Sequence, residues 1–171
     1  MASPASRRRS ARRAPIRLAA TLFSLAAALL ACSESAAPAT PPGPPVEGWV
    51  TIRDQRVAVE IADTPAEQSL GLGERDDLAW GRGMYFPYAQ PGFYAFWMKG
   101  MRFSIDIVWI HAGRIVDLTP NLPFVRGSNG PTVRPSRPAD AVLEVPAGYA
   151  TAHGWQAGDS VTFERLPAPG R

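Results

Sequence analysis

The chain has one cysteine and two histidines among 171 residues. A single cysteine excludes an internal disulfide framework, and two isolated histidines provide no metal-ligand spacing. No apolar run reaches the ~18 residues that a membrane-spanning helix needs. Also missing are the G-x-S-x-G elbow, the phosphate-cradling G-x-x-x-x-G-K-[ST] loop and the H-E-x-x-H zinc pair. This inventory leads us to expect no cofactor and no metal. Basic charge is scarcer than it first looks. The formal charge of +3 comes from 18 Lys+Arg against 15 Asp+Glu. Six of those cations, Arg7, Arg8, Arg9, Arg12, Arg13 and Arg17, precede the first acid, and without them the balance is 12 against 15. Nucleic-acid binding needs clustered cations that the folded part lacks, so no nucleic-acid partner is expected.

What is present first is an address. The Arg-rich start leads into Leu18 to Ala31 (LAATLFSLAAALLA), uncharged and too short to span a bilayer, which is the layout of a secretory signal peptide. Leu29-Leu30-Ala31-Cys32 resembles the lipobox of bacterial lipoproteins, where the signal is cut before the cysteine and the new N-terminus is acylated. Cys32 is therefore the expected lipidation site, and residues 1–31 the signal peptide. Two or more acyl chains hold a protein stably on a membrane where one does not. Residues 32–47 (CSESAAPATPPGPPVE) are small, polar and proline-rich, so they read as an extended tether. Ser33, not Asp, follows the anchor. The expected location is the cell envelope, on the periplasmic face of the outer membrane.

From residue 48 to 166 the apolar runs are short and punctuated by Gly, Pro and Asp, the pattern of one all-β domain, with a flexible tail at 167–171. Trp49–Arg53 and Arg56–Ile61 read as a hairpin around Asp54-Gln55. Other strand expectations are Gly83–Phe86, Phe93–Met98, Ile105–Ile110, Arg114–Leu118, Ala141–Val145 and Ser160–Glu164. Thr64, Pro65 and Glu67 form a capping box that starts a helix, which Gly71 or Gly73 ends. A short helical turn is expected between Pro146 and Gly154. The segment 119–138 holds five prolines and no periodicity, and reads as a functional loop or flap. Many short strands with one or two short helices imply a compact sandwich, jelly-roll-like or barrel-like fold.

Several strings occur in one order: Ala62-Asp63-Thr64-Pro65-Ala66-Glu67 with Gly71-Leu72, Gly83-Met84, Phe96-Trp97-Met98-Lys99, Ile105-Asp106-Ile107-Val108, Val142-Leu143-Glu144-Val145 with Gly148, and His153-Gly154 with Gly158-Asp159. Together they resemble the prokaryotic family known as domain of unknown function 192. The resemblance implies a compact β-rich fold behind a signal peptide, and no established activity. Gly100-Met101 stands where the family carries Asn-Thr after Trp-Met-Lys.

Two acids interrupt apolar strands. Asp106 shares a strand face with Val108 and Ile110, and Glu144 shares one with Val142. A buried carboxylate needs a partner, and Lys99, Arg102 and Arg75 are the nearest cations by sequence or motif context. Phe96 and Met98 should face one way and Trp97 the other, leaving Lys99 at a strand end near the indole. Three readings stay open. The acids are structural, satisfied by Arg, Lys or backbone N–H groups. Alternatively, Trp97, Lys99, Asp106, Glu144 and Arg75 line one ligand-binding pocket, with the indole as platform. As a third, Asp106 and Glu144 act as the acid and the ionised carboxylate of a glycan hydrolase. His111 beside Ala112-Gly113 and His153 before Gly154 read as turn and helix-end residues.

The functional expectation is a lipid-anchored, non-catalytic module of the cell envelope that binds a glycan, peptide or protein. An envelope glycan-acting hydrolase and an interaction protein in an envelope complex are the alternatives. Cys32→Ser should move the protein from the detergent phase to the aqueous phase, or leave it unprocessed, in detergent partition of cell extracts. Wild-type-like partition would overturn the anchor.

Overall fold

A computed structural model describes residues 43–167. The expected signal segment, Cys32, most of the tether and the residues after 167 lie outside the described residues. The chain runs through β1 (Gly48–Ile52), β2 (Gln55–Ile61), α1 (Pro65–Leu70), β3 (Arg82–Gly92), β4 (Phe96–Trp97), β5 (Ile105–His111), β6 (Arg114–Leu122), β7 (Thr132–Val133), β8 (Ala139–Pro146), α2 (Tyr149–Ala152) and β9 (Val161–Arg165). Seven strands make one sheet in the order β6-β5-β8-β3-β2-β1-β9, and β4 pairs with β7 in a separate ribbon. All pairings are antiparallel except β2 with β3. That one parallel pair requires a crossover, and α1 lies within it.

The sheet curls until its two edge strands meet. Arg114 of β6 bridges Ser160. Around that bridge Ile115 N–H donates to Asp159 (3.0 Å), Gly158 N–H to Ile115 (2.8 Å) and Val161 N–H to Gly113 (2.8 Å). The result is a half-barrel whose edges are joined at one corner, which removes part of the open ladder that an edge strand exposes. The fold is mainly β, as the strand pattern implies.

Alternation along the strands gives the sheet two buried faces. The inner face carries Val50, Ile52, Val57, Val59, Val108, Ile110, Leu143 and Val145, with Tyr149 and Trp155 closing it. The outer face carries Met84, Phe86, Ile105, Ile107, Trp109 and Val142, covered by Leu72, Phe96 and Met98. Phe96 packs edge-on against Phe86 (4.9 Å) and Trp109 (5.3 Å). The two-residue ribbon strand β4 is thereby stapled onto the sheet by an aromatic ring and not by sheet hydrogen bonds.

Local sequence explains most boundaries. Thr64 accepts from Glu67 N–H, and Glu67 Oε2 takes the Thr64 N–H at 3.0 Å, completing the capping box. Gly71, at φ +52°, ends the helix as expected. The first hairpin turns one residue earlier than the alternation suggests: Ile52 pairs with Gln55, and Arg53 takes φ +55°. The strand expected over 93–98 shrinks to β4. The stretch 119–138, expected as loop, is partly strand, because β6 runs on to Leu122 and residues 132–133 form β7. Pro120 is tolerated because β6 lies at the sheet edge.

Asp106 holds the closed end together. Its side chain is fully buried on the inner face. Oδ1 accepts from Asn121 N–H (2.7 Å) and Gly148 N–H (2.9 Å), and Oδ2 accepts from Ala150 N–H (2.8 Å). Gly148 is the N-cap of α2 and supplies no side-chain cap, so Asp106 caps that helix from a distant strand. The cations suggested as its partners are committed elsewhere or remain free: Arg75 pairs with Glu60 and Arg102 with Asp76. Asp106→Asn places an amide NH2 against backbone donors. It should cost about 2–4 kcal/mol in urea unfolding; a loss below about 0.5 kcal/mol would contradict this account.

Candidate functional site

A groove of about 360 Å³ opens on the outer face of the sheet. Its floor comes from alternate residues of two paired strands: Phe86 and Tyr88 of β3, and Glu144 of β8. One wall is α1 with Gly71 and Leu72, which the β2-to-β3 crossover lays across the sheet. The other wall is the extended stretch through β4. There Phe96 and Met98 point down into the core while Trp97 turns out, as alternation requires, and stands 42% exposed at the rim. Leu70, 56% exposed, faces the same opening from the helix side. Tyr88 and Tyr94 stack with centroids 3.6 Å apart and form a flat aromatic end wall. Tyr94 is held by a 2.6 Å hydrogen bond from its hydroxyl to Gln90 O.

Glu144 is the polar centre of this apolar floor. Its side chain is 5% exposed as part of the residue, and Oε2 has no hydrogen-bond partner among the described residues. Burial pushes its carboxyl up to about 8, with the charge of Arg75 partly opposing. Arg75 is held by a two-pronged pair with Glu60, at 2.6 and 2.8 Å, so it does not donate to Glu144. At Gly71 a Cβ would stand 3.8 Å from Glu144 Oε2 and 3.6 Å from the Phe86 ring. The helix thus ends on a residue that places no side chain against the carboxyl.

Of the five ligand-binding residues expected from sequence, Trp97, Lys99 and Glu144 line this groove. Arg75 lies beside it and reaches Glu144 through its field. Asp106 is on the other face: β5 and β8 pair Asp106 with Val145 and Ile107 with Glu144, and cross-strand partners point the same way. The sheet therefore separates the two carboxylates, and Asp106 is saturated by backbone donors. Glycan hydrolysis by two carboxyl groups needs both flanking one bond, a geometry that opposite faces do not provide. The exposed Lys99 is the chain's one lysine and makes no ion pair among the described residues.

Gly71, Leu70 and Ser69 carry no site signal in the sequence, whereas Tyr88 and Tyr94 lie in a crowd of aromatics that can present a ring at the loop around Gln90-Pro91-Gly92. The two tyrosines belong to the aromatic-rich stretch 80–97, whose density was the available signal. The helix wall had none, since only the parallel crossover brings α1 over β8. His111 Nδ1 lies 2.8 Å from Asp140 in its turn, and His153 caps α2, as their positions imply. No cluster of three or more His, Cys, Asp or Glu suited to a metal occurs among the described residues. The other buried polar atoms without partners, His153 Nε2 and Trp155 Nε1, sit in a ring cluster with Tyr149.

A raised carboxyl pKa is a folding cost with a defined pH window. The unfolded chain ionises Glu144 near the ordinary value of 4.5, while the folded chain keeps the proton until about 8. Its contribution to stability is therefore highest below pH ~4.5 and declines as pH rises to ~8. Glu144→Gln should match wild type in urea unfolding at pH 4.5 and exceed it at pH 8.5 by about 2–4 kcal/mol. A gap that does not change with pH would contradict a buried neutral acid.

Two solved structures resemble this fold over most of its length. A Novosphingobium aromaticivorans DSM 12444 protein of unknown function is 30% identical, with a TM-score of 0.61, and the match covers 75% of this chain and 94% of that one. A Sinorhizobium meliloti 1021 protein, whose description proposes a transcription regulator, is 24% identical with a TM-score of 0.63 and coverage of 71% and 98%. The latter likeness extends to fold alone. No curated protein matches the chain. The model of domain of unknown function 192, described as an uncharacterised conserved family, matches residues 48–163, and the chain belongs to that family.

Proposed function

We propose that this protein is a lipid-anchored binding module of the cell envelope, whose groove between α1 and β4 takes a ligand. The observation that carries the reading is Glu144 Oε2, buried and unpartnered at the bottom of an open aromatic groove. A carboxyl placed there costs stability, and such costs are commonly kept where a site needs them. An exposed indole and a free ammonium at the rim supply the surface and the charge that a recognition site uses. The Arg-rich start, the apolar run ending at Cys32 and the proline-rich tether support a module held by acyl chains, with the periplasmic face of the outer membrane as its place.

A hydrolase using Asp106 and Glu144 has no support from this arrangement, for the reason of opposite faces. An interaction protein in an envelope complex would use the same apolar rim, Leu70 and Trp97, against a partner surface.

Thermal-shift measurements on the full chain with N-acetylated amino sugars, uronic acids and short peptides test the groove. Ser69 is exposed on α1 at the groove edge, so Ser69→Trp plugs the opening without touching the core. A binder at a hundredfold excess over its Kd stabilises by about 2.7 kcal/mol, and that shift should vanish in Ser69→Trp. Shifts retained in the plugged variant, or none across the panel, would overturn the proposal.

A further inference from the structure

The groove's polar groups are placed too selectively to welcome every envelope fragment. Glu144 at the floor and Lys99 at the rim are not partners: the cation whose field reaches Glu144 is Arg75, already engaged with Glu60. The site thus offers two separate ionisable points, with the hydroxyl of Ser69 and the amide of Gln68 on the helix wall. Phe86, the stacked Tyr88–Tyr94 pair and Trp97 line the same groove. An exposed ammonium without an ion pair among the described residues selects a negative group at the mouth and disfavours a cation. A carboxyl that keeps its proton differs from an ionised one because its O–H can donate to a neutral carbonyl oxygen. Glu144 lines the groove floor, where such a carbonyl would approach it, and Gly71 adds no side chain above the carboxyl.

Building on the groove reading, we infer that the ligand is a small acid carrying a secondary amide. Its carboxylate meets Lys99, its ring or flat face lies on Trp97, and its amide carbonyl accepts a hydrogen bond from Glu144. An N-acylated acidic sugar and an N-acylated aromatic amino acid share this chemistry. No bond is made or broken. The charged and titratable groups around Glu144 are Arg75 from the segment after α1, Tyr88 from β3, and Tyr94 and Lys99 on either side of β4. Burial raises the Tyr88 hydroxyl above its ordinary range, so it stays neutral wherever Glu144 titrates.

Calorimetric titration of the full chain separates these roles. The probes are N-acetylmuramic acid and N-acetylphenylalanine, which have both groups, N-acetylglucosamine, which lacks the carboxylate, and glucuronic acid, which lacks the amide. At pH 6 at least one dual probe should bind about tenfold or more tighter than either single-group probe. Which dual probe is preferred identifies the source as sugar or amino acid. Raising the pH to 9 should weaken wild-type binding about tenfold, as Glu144 loses its proton. Glu144→Gln, whose amide still donates, should flatten that pH dependence, while Glu144→Leu loses the amide preference at both pH values. Lys99→Met should erase the advantage of dual probes over N-acetylglucosamine. Equal affinities across the four probes that Ser69→Trp abolishes would overturn the inference and leave the groove reading standing. Binding that does not change with pH in wild type would do the same. Absence of binding by all four overturns the inference, and the broader thermal-shift panel then judges the groove on its own.

Discussion

Three backbone N–H groups converge on the carboxylate of Asp106, and the closed end of the half-barrel depends on them. One comes from the extension of β6 at Asn121, and two come from the start of α2 at Gly148 and Ala150. Each would otherwise be a donor turned toward an apolar interior, at a cost comparable with a lost hydrogen bond. Because they share one acceptor group, the edge strand, the helix and β5 are tied to one another at this point. Tyr149 and Ala150 then fill the inner core, which Trp155 also closes. The positive φ of Gly148, +84°, belongs to the same arrangement, since it lets the backbone turn its donor toward β5.

Glu144 is the counterpart on the outer face, and its situation is the reverse. It sits on β8 among residues as apolar as those around Asp106, yet among the described residues no donor reaches its Oε2. Two solutions are open to an isolated buried acid: capture a cation, or keep its proton. Arg75 is close enough to act through its field but is spoken for by Glu60, so the proton stays. That difference divides the two acids into a structural one and a candidate functional one. It leaves the groove with an acid that keeps its proton at the floor and with Leu70, Trp97 and the exposed Lys99 at the rim.

Much of this was legible in the residues. Alternation put Phe96 and Met98 against the core and Trp97 outward, and the structure has them so. Thr64, Pro65 and Glu67 marked the helix start, because capping is decided within one turn of chain. Both acids stood out as charges inside apolar strands. The partner assignments were not legible. Lys99, Arg75 and Arg102 are near Asp106 or Glu144 by motif context, but cross-strand register decides which donors arrive. The ribbon of β4 with β7 was equally hidden, since the two-residue segment 132–133 is held by a strand far earlier in the chain.

Sequence by itself determined the class of fold, both helices and most of the sheet strands, the faces of those strands and the family to which residues 48–163 belong. Fold class, elements and faces follow from periodicity, capping and turn chemistry, which act over a few neighbouring residues, and the family follows from the ordered strings it shares with this chain. Tertiary structure alone decided that Asp106 is satisfied and Glu144 is not. The donors of Asp106 lie 15, 42 and 44 positions away, so no local pattern announces them. It also decided that the two acids face opposite ways, because the pairing of Ile107 with Glu144 is a matter of register between strands.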